Sequence, residues 1–316
     1  MISRRLLRIK VLQILYAYFK RSDETLEVAE KELFHCIGKA YELYHYLILL
    51  LFELTKHAEE KAAIARQKKI PTYSDLHPNM KFIENSFISQ LRENSDLADY
   101  LKDKRFTWVH HPELIRTLYK DLTRSDFFIE YMASEERSYE EDKSLVIKIL
   151  SRIVIASGDL SQNLEEQSIY WNDELDFVVS MIIRTIKKFR KEDGASAPLM
   201  DMFKNDEDRQ FTKDLFRKTI LHYDEYVRLI QMFSENWEVD RIAFLDILIM
   251  EMAICELAEF PEIPVKVTIN EYIEIAKYYS TEKSGTFVNG ILDRIVQHLR
   301  STNGMLKTGR GLIGEV

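Results

Sequence analysis

Apolar positions recur at helical spacing along nearly the whole chain. Leu7, Val11, Ile14, Leu15 and Tyr18 share one side of an opening helix. From Leu26 to Lys69 a long second helix carries Ala40, Leu43, Tyr44, Leu47, Leu50, Leu51, Leu54 and Ala58 on one broad face, and Ile70-Pro71 ends it. Leu76 to Glu135 is less regular, with Pro78 and Pro112 dividing it into short helices. Val146, Ile149, Leu150, Ile153 and Val154 restore the pattern, followed past Gly158-Asp159 by Leu175, Val178, Val179, Ile182, Ile183 and Ile186. Gly194-Ala195-Ser196-Ala197-Pro198 cannot extend that helix, so the spacing predicts a first bundle over residues 1–200, a second over 201–300 and a flexible tail over 301–316.

In the second bundle, Phe211, Leu215, Phe216, Thr219, Ile220, Tyr223, Val227, Ile230 and Met232 outline an amphipathic pair. Ile242, Leu245, Leu248, Ile249, Met252, Ala253 and Leu257 cover more than half of the next helix, as suits the central element of a bundle. Pro264 to Leu299 then reads as helix, joint, helix. Thr268 or Asn270 is expected to cap a helix whose apolar side is Ile269, Tyr272, Ile273, Ala276 and Tyr279. The polar run Ser280 to Gly285 interrupts it, and Phe287, Val288, Ile291, Leu292, Ile295 and Leu299 resume the pattern from about Ser284. Gly290, unfavourable inside a helix, suggests that another backbone passes close to it.

Composition agrees with an all-α fold. The chain is 46% hydrophobic, and of its nine glycines Gly304, Gly309, Gly311 and Gly314 fall in the tail, which leaves few residues to punctuate strands and turns. The apolar run Tyr46 to Phe52 is too short to span a membrane. Cys36 and Cys255 lack metal-ligand spacing and fit a reduced cytosol, with a disulfide between them disfavoured. No glycine-rich phosphate loop, paired-cysteine motif, histidine-carboxylate metal signature or nucleophile elbow is present, so neither an enzyme nor a cofactor is expected. Trp108-Val109-His110-His111-Pro112 reads as a turn before a helix rather than a metal site, since adjacent histidines diverge and no partner ligand stands at the right spacing. The acids of Trp171 to Asp176 suit the positive end of a helix dipole better than a metal.

Charge changes the picture. The formal net charge is −8, which argues against coating nucleic acid by bulk attraction, so any such site is local. Arg4, Arg5, Arg8, Lys10, Lys20 and Arg21 nevertheless precede the first acidic residue, Asp23. Arg4, Arg5 and Arg8 span an arc of about 100° on a helix, apart from the apolar side. Guanidinium groups grip phosphates bidentately and stack on exposed bases, which suits single-stranded RNA; a solvated charged face is the plainer alternative.

Two stretches resemble a known family. IPVKVTINEYIEIAKYYSTEKSGTFVNGILDRI is similar to the C-terminal signature of the NusB transcription antitermination factors, through Asn270-Glu271, Ile275-Ala276-Lys277, Lys283-Ser284 and Phe287 to Asp293, and Trp237 to Leu257 extends the likeness upstream. The opening LLRIKVLQILYAYF resembles the family's arginine-rich start with its Leu12-Gln13-Ile14-Leu15-Tyr16 step. The resemblance implies a cytoplasmic, NusB-like protein that binds a single-stranded boxA-like element of ribosomal RNA. Its partners would be NusE, a ribosomal small-subunit protein, and the RNA polymerase elongation complex. Arg4, Arg5, Arg8 and Lys10 would contact RNA, with Lys283 nearby and Phe287 as a stacking ring; Tyr16 and Tyr18 would face the protein partner. The family has far fewer residues between these stretches, so part of Asp23 to Met200 is expected to be an inserted helical elaboration. The alternative is a helical scaffold that binds proteins only and has lost RNA binding.

Overall fold

The computed structural model describes residues 2–21, 25–234, 242–281 and 283–314, and helices are the regular elements among them. In chain order these are α1 (Arg4–Lys20), α2 (Leu26–Arg66), α3 (Tyr73–Leu76), α4 (Ser86–Arg92), α5 (Ser95–Leu101), α6 (Pro112–Arg124), α7 (Asp126–Ala133) and α8 (Tyr139–Lys148). There follow α9 (Gly158–Gln167), α10 (Leu175–Lys188), α11 (Asp206–Leu221), α12 (Tyr223–Phe233), α13 (Phe244–Glu259), α14 (Val265–Tyr279) and α15 (Ser284–Ser301). The fold is all-α, as the periodicity predicts. Trp237, part of the sequence likeness, lies outside the described residues.

Two compact units emerge, Gly38–Met202 and a second made of Ile2–Ile37 with Phe203–Val316. The expected division at residue 200 put the opening helix in the first domain; by contact, that helix groups with the C-terminal half. Helix α2 contributes its residues up to Ile37 to the second unit and those from Gly38 onward to the first.

In the first unit α4 packs on α8, α6 on α7, and α10 on α8 and the π-helical turn Ile149–Val154 that continues it. Buried polar groups fix this packing. The Asp142 carboxylate accepts from Ser86 N at 2.7 Å, Ser86 Oγ at 2.6 Å and Tyr131 Oη at 2.6 Å. The segment around Gly194 is pinned: Gln90 Nε2 donates to the carbonyls of Arg190 (3.0 Å) and Gly194 (2.9 Å), and Asn94 Nδ2 to that of Ala197 (2.7 Å). Gly194 takes φ 51°, a left-handed conformation that glycine adopts without a side-chain penalty.

In the second unit α13 is central, buried continuously from Asp246 to Leu257, with α12, α14 and α15 packed against it. Helix α14 starts earlier than its capping pattern suggests: Pro264 occupies the N-cap, and Thr268 is buried inside the helix. Pro264 already has the φ that leads into a helix, so the first turn forms without a hydroxyl cap. Gly290 is exposed with nothing near its missing Cβ, so no close backbone explains it. The expected tail is docked on the turn before α14. Thr308 N donates to Pro261 O at 3.1 Å, Lys307 Nζ to Phe260 O at 3.0 Å, and a Cβ on Gly311 would stand 1.9 Å from Pro261 O.

Candidate nucleic-acid interface

Helix α1 begins where Ser3 Oγ accepts from Leu6 N at 3.3 Å, and it packs on α11 and α13. Residues Leu6 to Leu12 are all buried, which a helix with one apolar side would not show. Arg8 explains part of this. Its Nε and Nη2 each donate to Glu256 at 2.7 Å, and Thr268 Oγ1 at 2.8 Å and Tyr272 Oη at 3.2 Å complete the carboxylate's shell. Burial works against the charge of Arg8, but the adjacent Glu256 carboxylate and its hydrogen bonds outweigh it, so the pKa rises further and the guanidinium stays charged. Phe211 and Tyr272 lie within cation–π range of it, at 5.3 and 5.9 Å. Arg8 and Lys10, expected to meet RNA, are 2% and 1% exposed, with Lys10 Nζ donating to Gln13 Oε1 at 3.2 Å. Neither reaches a ligand while α1 keeps its packing.

Arg4 and Arg5 remain at the surface. Arg4 Nε donates to Asp208 at 2.7 Å with its guanidinium 5.0 Å from the Phe211 ring centre. Arg5 makes two 2.8 Å bonds to Glu271 on α14, and these hydrogen bonds raise its pKa. Its side chain is still 44% exposed, so one edge is open to a phosphate. Lys283 is exposed at the N-cap of α15, and Phe287, one turn on, is half-buried. Helix α15 packs on the α14 that carries Glu271.

The other end of α1 carries rings. Tyr16 is 42% exposed, with its ring 5.7 Å from that of Phe244. Phe19 touches both Tyr223 (4.6 Å) and Phe244 (6.3 Å), and Lys20 Nζ sits 4.3 Å over Phe244. Tyr18 is half-buried against Phe19 and Phe216. Phe19, Tyr223 and Phe244 were invisible as a cluster in the sequence because they come from three separate helices; the doublet Tyr18-Phe19 at a helix end was the available signal.

Among the described residues no group of three His, Cys, Asp or Glu could hold a metal ion, both cysteines are buried and outside any disulfide, and no helix is long and apolar enough to cross a membrane.

Comparison with known proteins matches the NusB family to residues 178–297, which takes in most of α10, α11 to α14 and most of α15 and leaves α1 outside. A NusB transcription antitermination protein of Salinibacter ruber is 48% identical over 106 residues, 34% of this chain and 66% of that protein. Its counterpart in Chloroherpeton thalassium is 40% identical over 105 residues, 33% of this chain and 50% of that protein. One from Acetivibrio thermocellus is 36% identical over 120 residues, 38% of this chain and 83% of that protein. The chain thus spans between half and two thirds of the length of the first two. No solved structure matches it.

Proposed function

Since the chain belongs to the NusB family, we propose that it is a transcription antitermination factor, binding a single-stranded boxA-like RNA together with NusE in the RNA polymerase elongation complex. The observation that carries this reading is the two-ended character of α1. The half-buried Arg4 and the exposed Arg5 stand at its start and the exposed Tyr16, with Phe19 and Phe244 beside it, at its end, in the unit that holds most of the family match. RNA phosphates would meet Arg4, Arg5 and Lys283, a base would stack on Phe287, and the ring cluster would receive the protein partner, with Tyr18 behind it. Arg8 and Lys10 act by holding α1 in place. The role is assembly, with no covalent step.

A protein-only scaffold is favoured by one specific observation: Arg4, Arg5 and Arg8 are each committed to a carboxylate, Asp208, Glu271 and Glu256. Titrating the full chain with boxA-like RNA at two salt concentrations separates the two. RNA binding predicts a steep loss of affinity with salt, and weaker binding still when Arg5→Glu and Lys283→Glu are combined. Tyr16→Asp should leave RNA affinity intact and abolish capture of purified NusE. Capture of NusE with no salt-dependent RNA binding would instead establish the scaffold.

A further inference from the structure

The first unit has no task in the function proposed above, yet it contains a cavity of about 620 Å³, within the range of small-ligand pockets. Its wall includes Tyr46, Phe106, Tyr170 and Trp171. Tyr46 is the middle of a ring stack, 4.0 Å from Trp108 with planes 13° apart and 5.5 Å from Trp171 with planes 25° apart. The polar edges of these rings are spent on the backbone. Trp108 Nε1 donates to Tyr46 O at 2.9 Å, Trp171 Nε1 to Lys39 O at 2.8 Å, and Tyr46 Oη to Thr107 O at 3.3 Å. Burial pushes the Tyr46 phenol up to about 12, so the stack carries no charge at neutral pH. Trp108, Tyr46 and Trp171 are themselves buried, so the aromatic surface a ligand meets is the half-buried rings of Phe106 and Tyr170, held rigid by the stack behind them.

The excess charge at this cavity is positive. Glu42 is its carboxylate among the described residues, and Lys39 (2.7 Å) and Lys104 (3.4 Å) both pair with it. Arg105 is exposed at the rim and has no ion pair among the described residues. His111 adds a positioned polar group: its Nδ1 lies 3.0 Å from Asn163 Nδ2, and Asn163 Oδ1 is in turn 2.7 Å from Gln167 Nε2. A purely apolar guest would leave Arg105 without an opposite charge, and a simple anion would leave the rings unused.

We infer that this cavity binds a nucleotide, with the base against the aromatic wall and the phosphate at Arg105. Aromatic surfaces stack any base, and a guanidinium grips a phosphate as a planar fork. The nucleotide is either free or one residue of a single-stranded RNA. The site is independent of the RNA surface proposed on α1 and α15.

The test follows tryptophan fluorescence of the full-length chain, since Trp108 and Trp171 lie in the stack. Titration with AMP should give saturable quenching at lower concentration than adenosine or inorganic phosphate. Arg105→Ala should weaken AMP about tenfold and leave adenosine unchanged, whereas Tyr170→Ala should weaken both about fivefold or more. A hexamer of oligo(A) that binds far tighter than AMP identifies RNA as the source, and the reverse order a free nucleotide. Repeating the hexamer titration in the Arg5→Glu, Lys283→Glu protein keeps the two sites apart, because quenching dependent on Arg105 should persist there. No saturable response to AMP or the hexamer, or a response that both Arg105→Ala and Tyr170→Ala leave unchanged, overturns the inference.

Discussion

Arg8 in the second unit and Lys81 in the first are both 2% exposed, and each is held by a different geometry. The guanidinium of Arg8 lies flat against both oxygens of Glu256, which is fully buried, and that carboxylate is further held by Thr268 and Tyr272. Three helices, α1, α13 and α14, close around one ion pair between residues far apart in the chain. The ammonium of Lys81 donates to Tyr131 O (2.8 Å) and Ser134 O (3.0 Å) and forms an ion pair with the Glu141 carboxylate at 2.9 Å, and the Glu141 side chain keeps 19% of its surface in solvent. Its partners are much nearer in sequence. The contrast teaches where each unit is vulnerable: the second depends on a remote, fully desolvated pair, the first on dispersed bonds of which one end still meets water.

Truncating the two cations measures that difference. Arg8→Ala leaves Glu256 as a buried charge with only two hydroxyls, and should cost about 3–5 kcal/mol of unfolding free energy. Lys81→Ala should cost about 2 kcal/mol, since two carbonyls and a partly solvated carboxylate lose a donor. Urea denaturation monitored by circular dichroism gives both values. Arg8→Lys should recover little, because an ammonium cannot reproduce the two parallel bonds. Equal losses from Arg8→Ala and Lys81→Ala would remove the distinction between the units.

Much of the helical order is legible in the sequence because burial imprints a period on it. An opening helix, the long α2, the central α13 and the restart at Ser284 all follow from apolar spacing. What periodicity cannot register is a charged residue buried by a partner distant in the chain. The arc of Arg4, Arg5 and Arg8 looked like one exposed face, and Glu256 takes Arg8 out of it while Arg4 and Arg5 stay at the surface. Thr268 departs from its pattern for a related reason: its hydroxyl suits a helix cap, and in the fold it serves the same glutamate. The glycines of the tail suggest a loose segment, yet Gly311 is what lets the chain approach Pro261. Of the candidate site, residue identities were visible on α1, but their exposure depended on α11, α13 and α14.

Helix α13 carries the sharpest internal control, for Glu251 is as buried as Glu256 and neither of its oxygens has a hydrogen-bond partner among the described residues. Burial pushes its carboxyl up to about 9, from an ordinary 4.5, so the folded state holds a proton that the unfolded state releases. The folded pKa is raised, so this contribution is present at low pH and is lost as pH rises from about 4.5 to about 9, with a slope of at most about 1.4 kcal/mol per pH unit. Glu251→Gln removes the titration. Its unfolding free energy should be flatter between pH 5 and 9, and on the order of 2 kcal/mol above the parent at pH 8. A parent and variant with parallel pH profiles would mean that Glu251 finds a partner in the folded protein.

Arg5 gives the smallest stability change and the clearest division between holding the fold and meeting a ligand. Its pair with Glu271 is solvent-accessible, so Arg5→Ala should cost only about 0.2–1 kcal/mol. If Arg5 meets a phosphate, the same substitution should weaken RNA binding and lower the salt slope by about 1. Glu271 then acts as a competitor, occupying the guanidinium when RNA is absent. Glu271→Gln should therefore strengthen RNA binding where Arg5→Ala weakens it, and an opposite response to the two changes is hard to produce by loosening the fold, because both break the same surface pair.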